Sequence, residues 1–142
     1  MRFIPEEEYA RIMGVLPILC VDVVVQNSKC EYLLIRRANE PLKDLWWIIG
    51  GRVLKGETLD QAAARKVREE VGLTVSSVQP IGYYEDVCET NPFGLSSPQH
   101  SVSVVFSATV DQHQKVKLDN QSTDWKYSTE LPEDFLIQVF KR

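Results

Sequence analysis

Carboxylate and guanidinium groups concentrate in one stretch, Gly51-Arg52-Val53-Leu54-Lys55-Gly56-Glu57, followed after seven residues by Arg65-Lys66-Val67-Arg68-Glu69-Glu70-Val71-Gly72-Leu73. If the second part is helical, Arg65 and Glu69 share a face, as do Lys66 and Glu70, because each pair is four residues apart. Glu69 and Glu70 then fall in the last turn, where the helix dipole disfavours negative charge. Two carboxylates there lower stability unless a cation compensates. Several carboxylates beside a glycine turn suit a hard cation such as Mg2+, which takes oxygen ligands and keeps waters and phosphate oxygens. A Glu-Glu pair among lysines and arginines is more commonly a solvated charged face. The joint spacing from Gly51 to Leu73 sets this stretch apart.

The elements that must position these groups are legible in the pattern. Leu59, Ala63, Val67 and Val71 recur every four residues and predict an amphipathic helix over Thr58–Val71. Thr58 fits as its N-cap, a role Glu57 could share, and Gly72 ends it where a left-handed residue is usual. Pro5 followed by Glu6–Met13 predicts a short helix with proline at its first turn. Ile18–Gln26 and Glu31–Arg36 read as strands joined at Asn27-Ser28-Lys29, a hairpin. Trp46–Ile49 is a further short strand before Gly50-Gly51 breaks the pattern. Ile81–Val87 and Val102–Val110 are strand-like, separated by a Pro-, Gly- and Ser-rich loop over Glu89–Gln99, and Glu133–Phe140 fits a closing helix. Strands interleaved with helices predict an α/β layered domain with a mixed sheet.

The chain of 142 residues, 44% hydrophobic and 25% charged, suits one compact domain over residues 1–142. Its net charge of −4 offers no global attraction to nucleic acid or anionic membrane, so an anionic ligand must be held by local cations or metal. The most apolar stretch, Val15–Val25, contains Pro17 and Asp22 and is too short to span a bilayer. The acidic start, Glu6-Glu7-Glu8, is unlike a secretory signal. Three cysteines without close spacing, Cys20, Cys30 and Cys88, argue against a disulfide framework or a zinc site. A reduced cytoplasmic protein is expected.

The spacing from Gly51 to Leu73 resembles the Nudix box. Gly51, Glu57, Arg65, Val67, Glu69, Glu70, Gly72 and Leu73 match it, and Lys66 stands where the family has its first helix glutamate. Trp46 to Gly51 resembles the family's lead-in, with Ile49 in place of proline. The resemblance implies the Nudix fold, a mixed β-sheet sandwiched between α-helices, and Mg2+-dependent hydrolysis of a nucleoside diphosphate derivative, with Mn2+ as the alternative ion. It also implies roles: Glu70 as main metal ligand, Glu69 as a second, a backbone carbonyl of Gly50 or Gly51 as a third, and Glu57 paired with Arg65 as structural support. Lys66 leaves two readings open. Either the protein binds fewer metal ions and takes its base from elsewhere, or it has lost catalysis.

Within the family, the front half is most similar to GDP-mannose mannosyl hydrolases, through Leu16-Pro17, Val21-Asp22, Asn27-Ser28, Arg37, Asn39, Pro41 and Gly50-Gly51-Arg52-Val53. Those enzymes also lack the first helix glutamate. The resemblance implies a small-molecule substrate of GDP-mannose type cut at the sugar carbon, and a homodimer. When GDP leaves, forked donors from Arg37 and Arg52 would stabilise charge on its β-phosphate. Their general base is a histidine in a loop near the C-terminus, where this chain has Ser122. His100 and His113 are the only histidines, and the base is not identified from sequence. A conventional Nudix pyrophosphohydrolase cutting at phosphorus, and a non-catalytic nucleotide-binding module, remain the alternatives. Trp46, Trp47, Tyr83 and Tyr84 are expected in core packing or at a dimer contact.

Overall fold

A computed structural model describes residues 4–39, 42–88, 99–111 and 113–140. The chain runs α1 (Glu6–Met13), β1 (Ile18–Gln26), β2 (Tyr32–Arg37), β3 (Trp46–Trp47), β4 (Ile49–Arg52), α2 (Leu59–Val71), β5 (Ser77–Cys88), β6 (Gln99–Thr109), β7 (Ser122–Ser128) and α3 (Glu133–Phe140). One seven-stranded mixed sheet carries the order β3-β2-β1-β6-β5, with β4 also pairing β1 and β7 also pairing β2. The β1–β6 pairing is parallel and the others are antiparallel.

The valine run of β1 explains why it lies at the centre. Val21, Val23, Val24 and Val25 are all buried, as expected of a strand covered on both faces. Successive side chains alternate between faces. Val21, Val23 and Val25 therefore pack with Ala62, Ala63, Val67 and Val71 of α2, while Val24 packs with Tyr84, Val105 and Phe135 of α3. Two apolar layers result, one helix closing each. Full burial of a Val or Leu side chain contributes about 1.5–3 kcal/mol, so the α2 stripe alone is a substantial anchor.

Several sequence expectations are corrected. β1 and β2 do not form a regular hairpin: they meet only at Gln26↔Tyr32, and β2 turns instead to β7 and β3. The turn itself exists, and Asn27 Oδ1 accepts the backbone N–H groups of Lys29 and Glu31 at 3.0 Å. The expected strand over Trp46–Ile49 is two strands with a break at Ile48, the first on β2 and the second on β1. β7, over Ser122–Ser128, went unread because its polar residues carry no apolar run, and it is held by backbone pairing to β2. Pro5 is the N-cap of α1 and not a first-turn residue. Trp47 and Tyr84 are buried, as core packing requires, whereas Tyr83 is 64% exposed and not in the core. The stretch expected as a loop before β6 lies outside the described residues except for Gln99, which begins β6.

Candidate active site

The box segment is held together by Arg65. A capping box starts α2: Thr58 N–H donates to Gln61 Oε1 at 2.9 Å, and Gln61 N–H donates to Thr58 Oγ1 at 3.2 Å. Thr58 therefore takes the cap and leaves Glu57 for other partners. Glu57 accepts the backbone N–H of Leu54 at 2.7 Å and a forked pair from Arg65, Nε at 3.0 Å and Nη2 at 2.6 Å. Arg65 also donates from Nη2 to the carbonyl of Arg52 at 2.9 Å and from Nη1 to Glu69 Oε2 at 3.1 Å. One guanidinium thus ties the end of β4, the loop and the helix into a rigid unit. Arg65 hydrogen bonding holds the Glu57 carboxyl below the usual carboxylate range, and the same bonds raise Arg65.

At the other end of α2, the helix carbonyls are satisfied. Gly72, at φ 71°, donates its N–H to the Arg68 carbonyl at 3.0 Å. Lys117 and Asp119 N–H donate to the carbonyls of Val71 and Glu70 at 2.8 and 3.1 Å. This leaves Glu70 buried at 4% exposure. Burial pushes its carboxyl pKa up, and the Lys66 ammonium, 2.9 Å from Oε1, pulls it back.

Asp22 is a second buried carboxylate, to which the sequence assigns no role. It lies on β1 opposite Gly50 of β4, 7% exposed, and accepts a short hydrogen bond from Tyr84 Oη. Burial drives its carboxyl up to about 6, against hydrogen bonds from Tyr84 and Ser103 and the charge of Arg37; Asp86 adds to the rise. Gly50 makes this arrangement possible. A Cβ there would overlap the Asp22 carboxylate and come 2.8 Å from the Val21 carbonyl oxygen.

These groups surround one cleft of about 720 Å³, within the range of small-molecule sites. Arg37, Gly50, Gly51, Arg52, Arg65 and Glu70 all line it. Glu57 and Glu69 do not: Glu57 lies behind Arg65, and Glu69 is turned to Arg65 at 3.1 Å and Lys66 at 3.8 Å. The expected role of Glu69 as second metal ligand would require it to leave Arg65. Arg52 stacks over the Tyr9 ring, 4.8 Å from its centroid, so α1 closes one side of the cleft. Tyr84 and Asp86 from β5 and Gln99, Ser101 and Ser103 from β6 also line it, as do the apolar Ile35, Leu42 and Trp47. Gln99 Oε1 is buried and has no hydrogen-bond partner among the described residues. The signal for the β6 residues was Ser101-x-Ser103, two polar residues on one face of a strand, but period alone does not say which face meets a cleft.

Among the described residues, no three His, Cys, Asp or Glu side chains converge to hold a metal. The donors that are present still fit one hard ion: Glu70 is a buried carboxylate on the cleft beside the β4 glycine backbone, and such ions complete their shells with waters and phosphate oxygens. Ser122 is buried, its Oγ has no partner among the described residues, and it carries no imidazole chemistry. Asp124 lies exposed in β7 and accepts the N–H of Trp125 at 2.8 Å. His100 lies half-buried near the start of β6, outside the cleft lining, and His113 is exposed.

The NUDIX domain model matches residues 16–136. The chain belongs to the Nudix family. Among curated Nudix-like relatives, the low-salt glycan biosynthesis protein Agl8 of Haloferax volcanii is 31% identical, over 87% of this chain and 78% of its own. The nucleoside triphosphatase NudI of Salmonella arizonae is 27% identical, over 80% of this chain and 82% of its own. A solved structure of a MutT Nudix hydrolase from Burkholderia pseudomallei superposes with a TM-score of 0.70, covering 86% of this chain and 95% of its own at 18% identity, which shows the fold. This Nudix chain is thus a hydrolase of the group acting on nucleoside diphosphate derivatives, small nucleotides in a family that generally uses Mg2+ or Mn2+. Among the described residues, no helix is long and apolar enough to cross a membrane.

Proposed function

We propose that this Nudix domain, spanning residues 1–142 as one unit, hydrolyses a nucleotide sugar of GDP-mannose type in the cytoplasm, releasing the nucleoside diphosphate and the free sugar. The observation that carries the reading is the mixed lining of the cleft. The cations Arg37, Arg52, Arg65 and Lys66 line it together with Glu70, and so do Asp22, Asp86, Gln99, Ser101 and Ser103. The cations suit a diphosphate, the other polar groups a polyhydroxylated ring. The relationship to a glycan biosynthesis protein supports the same substrate class.

Glu70 and a β4 glycine carbonyl would hold the divalent ion, which when bound supplies positive charge to the diphosphate. The protein's own residues do the rest. Arg52, braced by Tyr9, and Arg37 bind the phosphate oxygens and stabilise charge on the leaving diphosphate. Asp22, its pKa raised to about 6 by burial, lines the same cleft and is the proton acceptor we assign for the attacking water, in place of the missing histidine. Arg65 and Glu57 hold the loop and helix in register.

A second reading, attack at phosphorus in a nucleoside triphosphate or nucleotide sugar, is favoured by Glu69 being retained one residue from Glu70 and by the similarity to a nucleoside triphosphatase. A panel of nucleotide sugars and nucleoside triphosphates, hydrolysed in ¹⁸O-water with Mg2+, tests both. Label in the sugar supports the reading proposed here. Label in phosphate overturns it in favour of the second, and binding without turnover makes the protein a nucleotide-binding module.

A further inference from the structure

Lys66 is seated in the cleft as a built feature. Its stem lies against Gly51, where a Cβ would come 2.6 Å from Lys66 Cε and 3.0 Å from Nζ. Glycine at position 51 leaves room for the lysine stem along this path. The side chain is 13% exposed, its ammonium is 2.9 Å from Glu70 Oε1 and 3.8 Å from Glu69 Oε2, and it lines the cleft. A solvated i,i+4 pair on a helix needs no glycine opposite it and no burial. Two side chains thus lie against the glycine pair before the helix, Asp22 against Gly50 and Lys66 against Gly51.

The position has an electrostatic consequence. A divalent ion approaching Glu70 in the empty cleft meets an ammonium already bound to the same oxygen, so the two cations compete. A diphosphate approaching the same point is attracted, because Lys66 adds to Arg37 and Arg52. Building on the proposal that an ion and a diphosphate meet at Glu70, we propose that Lys66 is a resident cation that holds divalent metal off Glu70 until a diphosphate arrives, and then exchanges that carboxylate for a phosphate oxygen. Nucleotide and metal are then positively coupled through one ammonium, each easing the entry of the other. Lys66 acts as a phosphate-binding residue, and the glutamate that the Nudix pattern has at its position would do the reverse, drawing in metal ahead of nucleotide.

The test separates the two ligands. Mn2+ binding to the nucleotide-free protein is titrated by the electron paramagnetic resonance of free Mn2+, and GDP binding is measured by calorimetry in EDTA. Lys66→Met is expected to bind Mn2+ about tenfold tighter and GDP about tenfold weaker than the parent, the scale of one removed charge at close range. A lysine that merely supports the helix would, on removal, weaken both or neither. Lys66→Gln, which keeps a hydrogen-bond donor for Glu70, serves where the methionine variant does not fold and is expected to shift both ligands in the same opposed directions. Unchanged or weaker Mn2+ binding in the folded variants overturns the proposal, as does GDP affinity equal to or above the parent's, or a parent that binds no GDP without metal. Absence of nucleotide-sugar hydrolysis would overturn the proposed reaction while leaving these two binding shifts readable.

Discussion

The carboxylate of Asp22 lies directly over Gly50, so that a side chain at position 50 would have to share space with a buried charge and with the Val21 carbonyl. Backbone on one side and a buried carboxylate on the other leave no flexible neighbour to move aside. Gly50→Ala is therefore expected to destabilise the fold by about 1–3 kcal/mol, the usual cost of overpacking. Urea unfolding of the variant measures it, and Gly56→Ala is a poor control because Gly56 has φ 91°. Gly14→Ala, whose Cβ would meet its nearest atom at 3.4 Å, is the better one.

Asp22 also predicts a pH dependence. Its folded pKa of about 6 lies above the ordinary value of 3.8, so between these values the folded state binds more protons than the unfolded state. Stability must then fall as pH rises from about 4 to about 6, with the penalty fully present above that. Two pKa units correspond to about 3 kcal/mol. Asp22→Asn removes the titration. Its unfolding free energy is expected to be flatter over that window and higher than the parent's at pH 7, while turnover is lost; equal pH slopes in the two proteins would contradict the assignment.

Arg65 is the mechanical tie of the box. Arg65→Lys keeps the charge but loses the fork to Glu57 and the bond to the Arg52 carbonyl, and is expected to cost about 1.5–3 kcal/mol. Because the folded pKa of Glu57 is depressed below its usual 4.5, its stabilisation is present above that value and fades as pH falls through the folded one. A double-mutant cycle of Arg65→Lys with Glu57→Gln, run at pH 7 and pH 3, should show coupling at the first and much less at the second.

The residues that were legible from sequence are those fixed by spacing along the chain. The Arg65–Glu69 and Lys66–Glu70 pairs follow from the helical repeat, and both are formed. So does the α2 stripe, which the core confirms at Ala63, Val67 and Val71. Asp22 and its partner Tyr84 are 62 residues apart, and nothing local connects them. Only the parallel β1–β6 pairing and the β5–β6 ladder bring them to one face. β7 was missed for a related reason: its polar residues hide a strand that exists because β2 offers backbone partners. The glycine pair was legible as a turn near a metal. Its closer purpose, making room for Asp22 and Lys66, depends on side chains arriving from β1 and α2.

Glu70 is the buried carboxylate proposed to hold the divalent ion. Glu70→Gln keeps the shape and removes the charge, and the measurement is nucleotide-sugar turnover as a function of Mg2+ concentration, with circular dichroism to verify the fold. The predicted result is a folded protein whose turnover at saturating Mg2+ falls by about a hundredfold or more. A folded Glu70→Gln protein that turns over at the parent rate, with the parent's Mg2+ dependence, would contradict the assignment.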